Sequence, residues 1–276
     1  MKSTLRVAIV GNGSIAHAHV QALRALGDDG PILSTVMGRV VESTEAFAAE
    51  HGIQRSTTRL HDVLEDDQVD RRLMVCHTER YFPALVEVRR LIEIGELHPL
   101  AVISRFMFQR RENVNWMGRR RSWTDNLLWH HGCHAVDAAL WLLSASQVEV
   151  SAQIGLPSGT LEVPMDLGIT MRTPANQVVT VAMSYNTHIP LHDYLVIGEE
   201  NTLLFDDGAL RDREGVRMPR PSMDNSVEAI GRQDVEFLAA IDEQREPAVS
   251  GRAVRPAMAA LQAAQDTLGR GGKRHE

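Results

Sequence analysis

Histidines and an aspartate lie close together in one segment of the chain. His130 and His134 are four residues apart, so a helix would place them on one face, and Asp137 follows three residues later. Imidazole transfers protons near neutral pH, and a carboxylate can orient it. The spacing therefore favours an acid/base pair of His130 and His134, oriented by Asp137. Two alternatives stay open: core histidines with satisfied hydrogen bonds, and a zinc site, for which no third protein ligand is obvious.

An arginine-rich segment precedes these histidines. Six arginines lie between residues 105 and 121, and Glu112 is the one acid among them, in a chain whose net charge is −7. Paired guanidinium groups bind carboxylates bidentately. The segment therefore predicts an anion pocket, and a solvated charged loop is the alternative.

A glycine-rich turn near the N-terminus is typical of dinucleotide binding. Residues 11–16 read G-x-G-x-x-A between a predicted strand and a predicted helix. The first glycine allows a tight turn, the second lets the backbone approach a pyrophosphate, and the small third residue lets the helix pack on the strand. The candidate cofactor-binding residues of this turn are Gly11, Gly13, Ser14, Ile15 and Ala16.

The residues after the second predicted strand indicate which dinucleotide binds. An NAD site normally has an Asp or Glu there for the ribose hydroxyls, whereas this chain has Gly38 and Arg39. A guanidinium suits a 2′-phosphate, so we expect NADP as the cofactor, with NAD as the alternative. Arg39 could instead be a solvated loop residue.

The composition excludes several classes of function. Lys2 and Lys273 are the only lysines, so chemistry that needs an interior lysine is excluded. The negative net charge argues against nucleic-acid binding. No apolar stretch approaches the ~18 residues of a membrane span, and the N-terminal residues do not resemble a signal peptide. We therefore expect a cytoplasmic protein with no nucleic-acid or membrane partner.

The order of the predicted elements indicates an α/β fold with two domains. Strand-like and helix-like segments alternate in residues 1–98, which predicts a Rossmann-like parallel sheet in a dinucleotide-binding domain. Residues 99–276 predict an α+β domain with a largely antiparallel open sheet, through which we expect a homodimer to form. Two further predictions concern the site directly: a strand over residues 72–76 and one long helix over residues 125–143.

These features together resemble the Gfo/Idh/MocA oxidoreductases. The likeness rests on the glycine turn, on a Gly-Cys-His motif at residues 132–134 and on the strand-rich C-terminal half. The segments that resemble one group of members most closely are residues 74–85, 110–113, 121–131 and 183–186. The resemblance implies that His134 is catalytic, whereas His130 stands where most members have an Asp.

The resemblance also implies a reaction. That group oxidises the cyclic hemiacetal of 4-carboxy-2-hydroxymuconate-6-semialdehyde to 2-pyrone-4,6-dicarboxylate, with NADP⁺ as hydride acceptor, in the protocatechuate 4,5-cleavage pathway. A dicarboxylate substrate would be an anionic partner for the arginine-rich segment. The candidate substrate-binding residues are Arg80, Arg110, Arg111, Asn113, Arg121, Trp123, Asp125 and His131.

One part of the family pattern is missing from this chain. Members have two more strand–helix units after the third, and the second of these carries an active-site lysine. Here residues 66–70 run directly into residues 71–76, so about 40–50 residues have no counterpart. Two alternatives to the dehydrogenase therefore stay open. One is a catalytically silent or internally deleted relative that binds an anion or dimerises, and the other is a dehydrogenase of a sugar or polyol.

Overall fold

The computed structural model describes residues 5–66, 73–114, 118, 120, 126–221 and 225–271. The chain divides into two compact units: unit 1 comprises Met1–Met74 and Ile230–Ser250, and unit 2 comprises Val75–Ala229 and Gly251–Glu276. This division differs from the boundary near residue 98 expected from the sequence. The reason is that the helix after residue 82 packs into the core of unit 2, while a later segment returns to unit 1.

Unit 1 is built on a three-stranded parallel sheet of order β1-β2-β3. Its strands are β1 (Arg6–Val10), β2 (Ile32–Met37) and β3 (Arg55–Thr57). Its first three helices are α1 (Ser14–Ala25), α2 (Val41–Glu50) and α3 (Leu60–Leu64), with a 3₁₀ turn at Gly27–Asp29. The order matches the 3-2-1 half of a doubly wound sheet, so the Rossmann-like class expected from the sequence is confirmed.

The prediction of a strand over residues 72–76 was wrong. Residues 73–76, the described part of that segment, lie in an irregular stretch before a 3₁₀ turn at Thr78–Tyr81. A parallel strand needs a neighbour to satisfy its backbone groups, and the two strand–helix units that would supply that neighbour are the ones missing from the sequence. An apolar run alone therefore does not make a strand here.

The core of unit 1 is small. Its buried cluster combines small and large apolar side chains from β2, α1 and α2. The members are Ala16, Val20, Val36, Phe47, Ala48 and Ile53. A hydrogen bond of 2.8 Å between His19 Nδ1 and Asp234 Oδ1 adds a polar contact between α1 and the segment that returns to this unit.

Unit 2 contains an eight-stranded sheet of order β11-β10-β9-β8-β4-β7-β6-β5. Its strands are β4 (Pro99–Met107), β5 (Glu149–Ile154), β6 (Asp166–Arg172), β7 (Val178–Ser184), β8 (Leu191–Gly198), β9 (Thr202–Asp206), β10 (Ala209–Asp212) and β11 (Gly215–Met218). The remaining helices are α4 (Pro83–Glu93), α5 (Leu127–His130), α6 (Gly132–Leu142), α7 (Asn225–Asp242), which crosses into unit 1, and α8 (Arg255–Gly271). Only β4 and β7 pair in parallel, which confirms the largely antiparallel sheet.

Helices cover one face of this sheet. In β6, Leu167, Ile169 and Met171 are buried while the residues between them are exposed, as the two-residue period of a strand requires. The buried face packs against α4, α5, α6 and α8 in one continuous core. None of the helices in the described part of the chain has the length and apolarity of a membrane span.

The long helix predicted over residues 125–143 is two helices. Asn126 caps α5 by accepting a hydrogen bond of 2.8 Å from the backbone N–H of Leu128. The first helix ends at His130, and α6 begins at Gly132, with His131 between them. Gly132 lies against a neighbouring turn and α8, where a Cβ would be 3.4 Å from the carbonyl oxygen of Leu127. This close packing accompanies the break, which the sequence periodicity does not reveal.

We predict that unit 1 loses stability in acid, because it contains two buried histidines. His51 Nε2 and His17 Nδ1 are hydrogen-bonded at 2.7 Å, and both side chains are buried. Burial, followed by the charge of His17, lowers the pKa of His51 below its ordinary value of 6.5. The unfolded chain therefore binds this proton at a higher pH than the folded chain, so stability falls as the pH decreases through about 6.5. We expect a His51→Gln variant to lose less stability than the wild type between about pH 7.5 and 5.5.

Thermal unfolding across that pH range measures the effect. His61→Gln is the matched control, because the His61 side chain is 62% exposed. It should keep the wild-type pH dependence, and identical slopes for the His51 variant and the wild type would contradict the prediction.

Candidate functional site

The glycine turn of unit 1 forms an open cradle at the start of α1. Gly11 has φ +105°, a conformation that favours glycine, and an added Cβ at Gly11 or Gly13 would meet no described atom within 4 Å. Gly13 is the N-cap of α1 and offers no side chain to its first N–H groups. Ala16 is buried in the core behind the turn. An open backbone loop that leads into a helix N-terminus fits a pyrophosphate.

Gly38 joins the end of β2 to this turn. A Cβ at Gly38 would lie 2.2 Å from Thr44 Oγ1 and 2.9 Å from the Asn12 side chain, so only glycine fits there. The next residue, Arg39, is exposed. The structure thus places Arg39 directly after the residue that contacts the glycine turn, and Ser14 and Ile15 lie in the first turn of α1.

In unit 2, a buried ion pair joins the 3₁₀ turn at Thr78–Tyr81 to α6. Arg80 donates from Nε and Nη2 to the two carboxylate oxygens of Asp137, both at 2.7 Å. The second nitrogen also donates to the Ala253 carbonyl oxygen at 3.2 Å. The Asp137 side chain is 1% exposed and that of Arg80 is 10% exposed. Asp137 therefore holds Arg80, not the imidazole of His134, because a desolvated guanidinium requires this bidentate partner.

Glu79 lies beside this ion pair and is also buried. Its carboxylate accepts a hydrogen bond from the Tyr194 hydroxyl and lies 3.2 Å from His192 Nε2. Burial alone would raise the pKa of the Glu79 carboxyl, but the hydrogen bond and charge of His192, with the bond from Tyr194, lower it. Glu79 is thus a buried negative charge with two partners. Glu79 lies in the segment 74–85 that carries the family resemblance, but it was not among the predicted site residues, because its partners His192 and Tyr194 are distant in sequence.

The rings of His77 and His134 lie edge to face, with their centroids 5.5 Å apart. Burial lowers the pKa of His77 and outweighs the opposing effect of Asp137. Burial also acts to lower the pKa of His134, but the hydrogen bond and charge of Cys133, with the carboxylates of Glu79 and Asp137, raise it to about 9. At neutral pH, His77 is therefore neutral and His134 is positively charged. Environments that separate two pKa values in this way assign one group as base and the other as acid.

The pair expected from spacing, His130 and His134, does not share a helix face. The break at His131 puts the two residues in different helices, and the ring of His130 lies 4.3 Å from that of His131. His131 itself packs edge-on against Phe106, with centroids 4.4 Å apart. The second imidazole near His134 is that of His77, which is distant in sequence.

The described residues of the arginine-rich segment bind other parts of the protein. Arg105 pairs with Asp193 on the neighbouring strand β8. Arg110 is buried, donates to Asn113 Oδ1 at 2.8 Å and lies over the Tyr185 ring at 5.1 Å. These bonds occupy guanidinium groups that the sequence assigned to an anion.

Arg111 is exposed and donates through one nitrogen to the carbonyl oxygens of Arg110 and Tyr185, at 2.9 and 3.0 Å. The same nitrogen also donates to Asn186 Oδ1 at 3.3 Å. Arg121, Trp123 and Asp125 lie outside the described residues, so their predicted roles stay predictions.

Comparison with known proteins agrees with this architecture. Residues 83–218 match the family described as bacterial oxidoreductases, C-terminal. These 136 residues, about 49% of the chain, are similar to the C-terminal domain of that family. A 4-carboxy-2-hydroxymuconate-6-semialdehyde dehydrogenase from Sphingobium sp. (strain NBRC 103272 / SYK-6) is 28% identical over 296 residues, which cover 88% of this chain and 92% of the relative. The resemblance to the Gfo/Idh/MocA oxidoreductases is thereby confirmed.

Solved structures of oxidoreductases share the fold. An oxidoreductase from Agrobacterium radiobacter in complex with NAD⁺, L-tartaric acid and magnesium superposes with a TM-score of 0.83 at 14% identity, covering 98% of this chain and 97% of that chain. The WlbA dehydrogenase from Bordetella pertussis, in complex with NADH and UDP-GlcNAcA, gives 0.80 at 17% identity, with coverage of 98% and 97%. The likeness of these structures to the chain shows that the fold is shared.

The alignment with the Sphingobium relative is longer than the part of this chain that it covers. It spans 296 positions, whereas 88% of 276 residues is about 243, so roughly 53 positions have no residue here. This number agrees with the two strand–helix units missing from the three-stranded sheet of unit 1.

The buried ion pair leads to a prediction about stability. Arg80→Met would leave the Asp137 carboxylate buried without its partner, which costs about 3–5 kcal/mol. We expect that loss in the free energy of unfolding from urea denaturation, followed by tryptophan fluorescence, since Trp129 and Trp141 lie in unit 2.

Arg172→Met is the matched control. Arg172 pairs with Glu149 at 2.7 Å, but both side chains are more than half exposed, so its removal should cost less than about 1 kcal/mol. Equal losses in the two variants would refute a special role for the buried pair.

Proposed function

We propose that this oxidoreductase is an NADP-dependent dehydrogenase of the cyclic hemiacetal of 4-carboxy-2-hydroxymuconate-6-semialdehyde, with 2-pyrone-4,6-dicarboxylate as product. The observation that carries the proposal is the contact of buried His77 with half-buried His134, whose pKa values are shifted in opposite directions. The similarity to the Sphingobium dehydrogenase supports this choice of substrate.

The chemistry requires one proton acceptor in the protein. Oxidation of a hemiacetal to a lactone removes a hydride from the carbon and a proton from its hydroxyl group. His77 is neutral at neutral pH, so its imidazole accepts the hydroxyl proton. The His134 imidazolium places a positive charge beside the oxygen that becomes negative as the proton leaves.

Unit 1 holds the cofactor in this proposal. The turn of Gly11 and Gly13 would hold the pyrophosphate, and Arg39 the 2′-phosphate of NADP. When bound, the nicotinamide supplies the hydride acceptor. The exposed guanidinium of Arg111, with Arg121, would recognise a substrate carboxylate, while Arg80 and Arg110 are occupied within the protein.

Two other functions compete with this one. The three-stranded sheet of unit 1 favours a catalytically silent relative that binds an anion, because half of a doubly wound sheet is absent. The likeness to a scyllo-inositol dehydrogenase from Lactobacillus casei, with a TM-score of 0.78 at 12% identity, favours a polyol substrate. The absorbance of the reduced cofactor, followed with the dicarboxylated hemiacetal and with scyllo-inositol as substrates, distinguishes the three candidate functions. Cofactor binding without turnover of either substrate would favour the silent relative.

The histidine pair predicts a bell-shaped pH dependence of kcat/KM. Activity should rise as His77 loses its proton below pH 6.5 and fall as His134 loses its proton near pH 9. His77→Gln should lower kcat by about 10²–10⁴-fold. His134→Gln should remove the alkaline decrease.

Initial rates from about pH 5 to 10 test this assignment. His188→Gln is the control, because that histidine lies in an exposed loop and contacts Gln109. A profile that only rises, through a pKa near 9 that His134→Gln abolishes, would make His134 the base and exclude His77.

We predict that Arg39 determines the preference for NADPH over NADH. Removal of a charge-assisted contact to a 2′-phosphate costs about 1.5–3 kcal/mol, which is roughly a 10–100-fold weaker affinity. Arg39→Ala should therefore weaken NADPH binding by that factor and leave NADH binding nearly unchanged, as measured by the fluorescence of the reduced cofactor.

Arg59→Ala is the control for the loss of an arginine from unit 1, because its side chain is 71% exposed. It should change neither affinity. Equal weakening of NADPH and NADH by Arg39→Ala would show that Arg39 does not read the 2′-phosphate.

A further inference from the structure

The imidazole of His77 is buried with both ring nitrogens unsatisfied. The residue is 3% exposed, and neither nitrogen has a hydrogen-bond partner among the described residues. Nδ1 of His134, in the same pocket, is buried in the same way. An unsatisfied buried polar group costs about 1–3 kcal/mol, so a ligand that satisfies these nitrogens gains that much. The pocket is therefore suited to a group that binds imidazole nitrogen.

A thiol completes the set of donors. One donor atom from each of His77, Cys133 and His134 lies within 4.8 Å of the other two. The Cys133 Sγ now donates a weak hydrogen bond of 3.3 Å to the His130 carbonyl oxygen. Thiolate sulfur and imidazole nitrogen are both zinc ligands, and three protein ligands leave the fourth position of a tetrahedral site open.

We infer that His77, Cys133 and His134 bind one Zn²⁺ ion through two imidazole nitrogens and one thiolate. In a tetrahedral site with Zn–N near ~2.0 Å and Zn–S near ~2.3 Å, ligand atoms are roughly 3.3–3.6 Å apart. Because the three donors lie within 4.8 Å of one another, each pair needs to approach by at most about 1.5 Å to reach that geometry. Binding leaves Cys133 as a thiolate and both imidazoles neutral, and any proton held on the ligating atoms goes to solvent, with no change of oxidation state.

The surroundings of the three residues favour a cation. Nε2 of His77 lies 3.9 Å from Asp137 Oδ1, so Nδ1 is the ligand and the opposite N–H faces a carboxylate. Metal-binding histidines usually have such a carboxylate behind them. Glu79 adds a second buried negative charge, while Asp137 neutralises the positive charge of Arg80.

A second histidine cluster lies in unit 1 and is the less suitable site. His17, Glu50 and His51 also offer three donors within 4.8 Å of one another. There the two imidazoles already satisfy each other through a hydrogen bond of 2.7 Å, and the charge of Arg24 acts against a cation. This cluster contains no thiol, so Co²⁺ bound there would show no thiolate-to-cobalt charge-transfer band and can be distinguished from Co²⁺ bound at Cys133.

The inference shares two residues with the proposed function. Zn²⁺ at His77 and His134 would occupy the lone pair that accepts the proton, so it would inhibit turnover. Only this inhibition rests on the proposed function. Zinc binding is measured without substrate, so failure of the dehydrogenase assignment and failure of the metal site are separate results.

The test uses the tag-free full chain with Co²⁺ as a spectroscopic substitute for Zn²⁺. We expect one bound ion, a thiolate-to-cobalt charge-transfer band and displacement of the band by one equivalent of Zn²⁺. Cys133→Ser should lose the band and bind Zn²⁺ at least about tenfold more weakly in equilibrium dialysis. His77→Gln should also weaken binding, and far-UV circular dichroism checks that each variant is folded.

The chain supplies matched controls. Cys76→Ser removes the only other cysteine, and His51→Gln disrupts the cluster of unit 1, so both should keep the band and the wild-type affinity. The inference is overturned if wild-type protein binds no Zn²⁺ at millimolar concentration, if Cys76→Ser abolishes the band, or if Co²⁺ binds without a thiolate band and His51→Gln abolishes that binding.

Discussion

The ion pair between Arg80 and Asp137 is the constraint on which the site in unit 2 depends. Neither charge is stable alone at 1% or 10% side-chain exposure, so each requires the other in bidentate geometry. The pair joins the 3₁₀ turn at Thr78–Tyr81 to α6 and, through the Ala253 carbonyl, to the segment before α8. His77 and Glu79 both lie just before Arg80 in the chain, and His134 lies one helical turn before Asp137. The ion pair therefore determines that these groups meet.

Burial and nearby charges give the imidazoles of His77 and His134 different protonation states at neutral pH. His77 has little to stabilise its charged form, so desolvation dominates. His134 lies near carboxylates and a thiol that stabilise its positive charge. The hydrogen bonds of Glu79 with Tyr194 and His192 keep one of those carboxylates ionised, although it is buried. The same polar groups make the pocket suitable for proton transfer and for a cation, which is why the two proposals share residues.

Unit 1 shows how much of a dinucleotide site three strands retain. The glycine turn, the packed Ala16 and the close approach of Gly38 to Thr44 depend on β1, β2 and the helices beside them. Those contacts are complete without the missing units. In a full doubly wound sheet, the later strands lie on the other side of β1, next to the nicotinamide half of the site. The retained half explains why the sequence motif is intact while the sheet is not.

Patterns formed by neighbouring residues were sufficient to predict much of the fold of this protein. The glycine turn, the alternation of strands and helices and the two-residue period of β6 and β7 predicted the fold class, because each is a property of neighbouring residues. The pairing of Arg80 with Asp137 was beyond such reasoning, since 57 residues separate them and the spacing of Asp137 from His134 suggested another partner. The same holds for His77, which lies in the segment 74–85 that carries the family resemblance but is 57 residues from His134, so no spacing rule linked the two. The sequence by itself determined the class of fold, the cofactor motif and the family. Only the tertiary structure decided which imidazoles meet, which arginines are already bound and where the long helix breaks, because packing and desolvation act between residues that are distant in the chain.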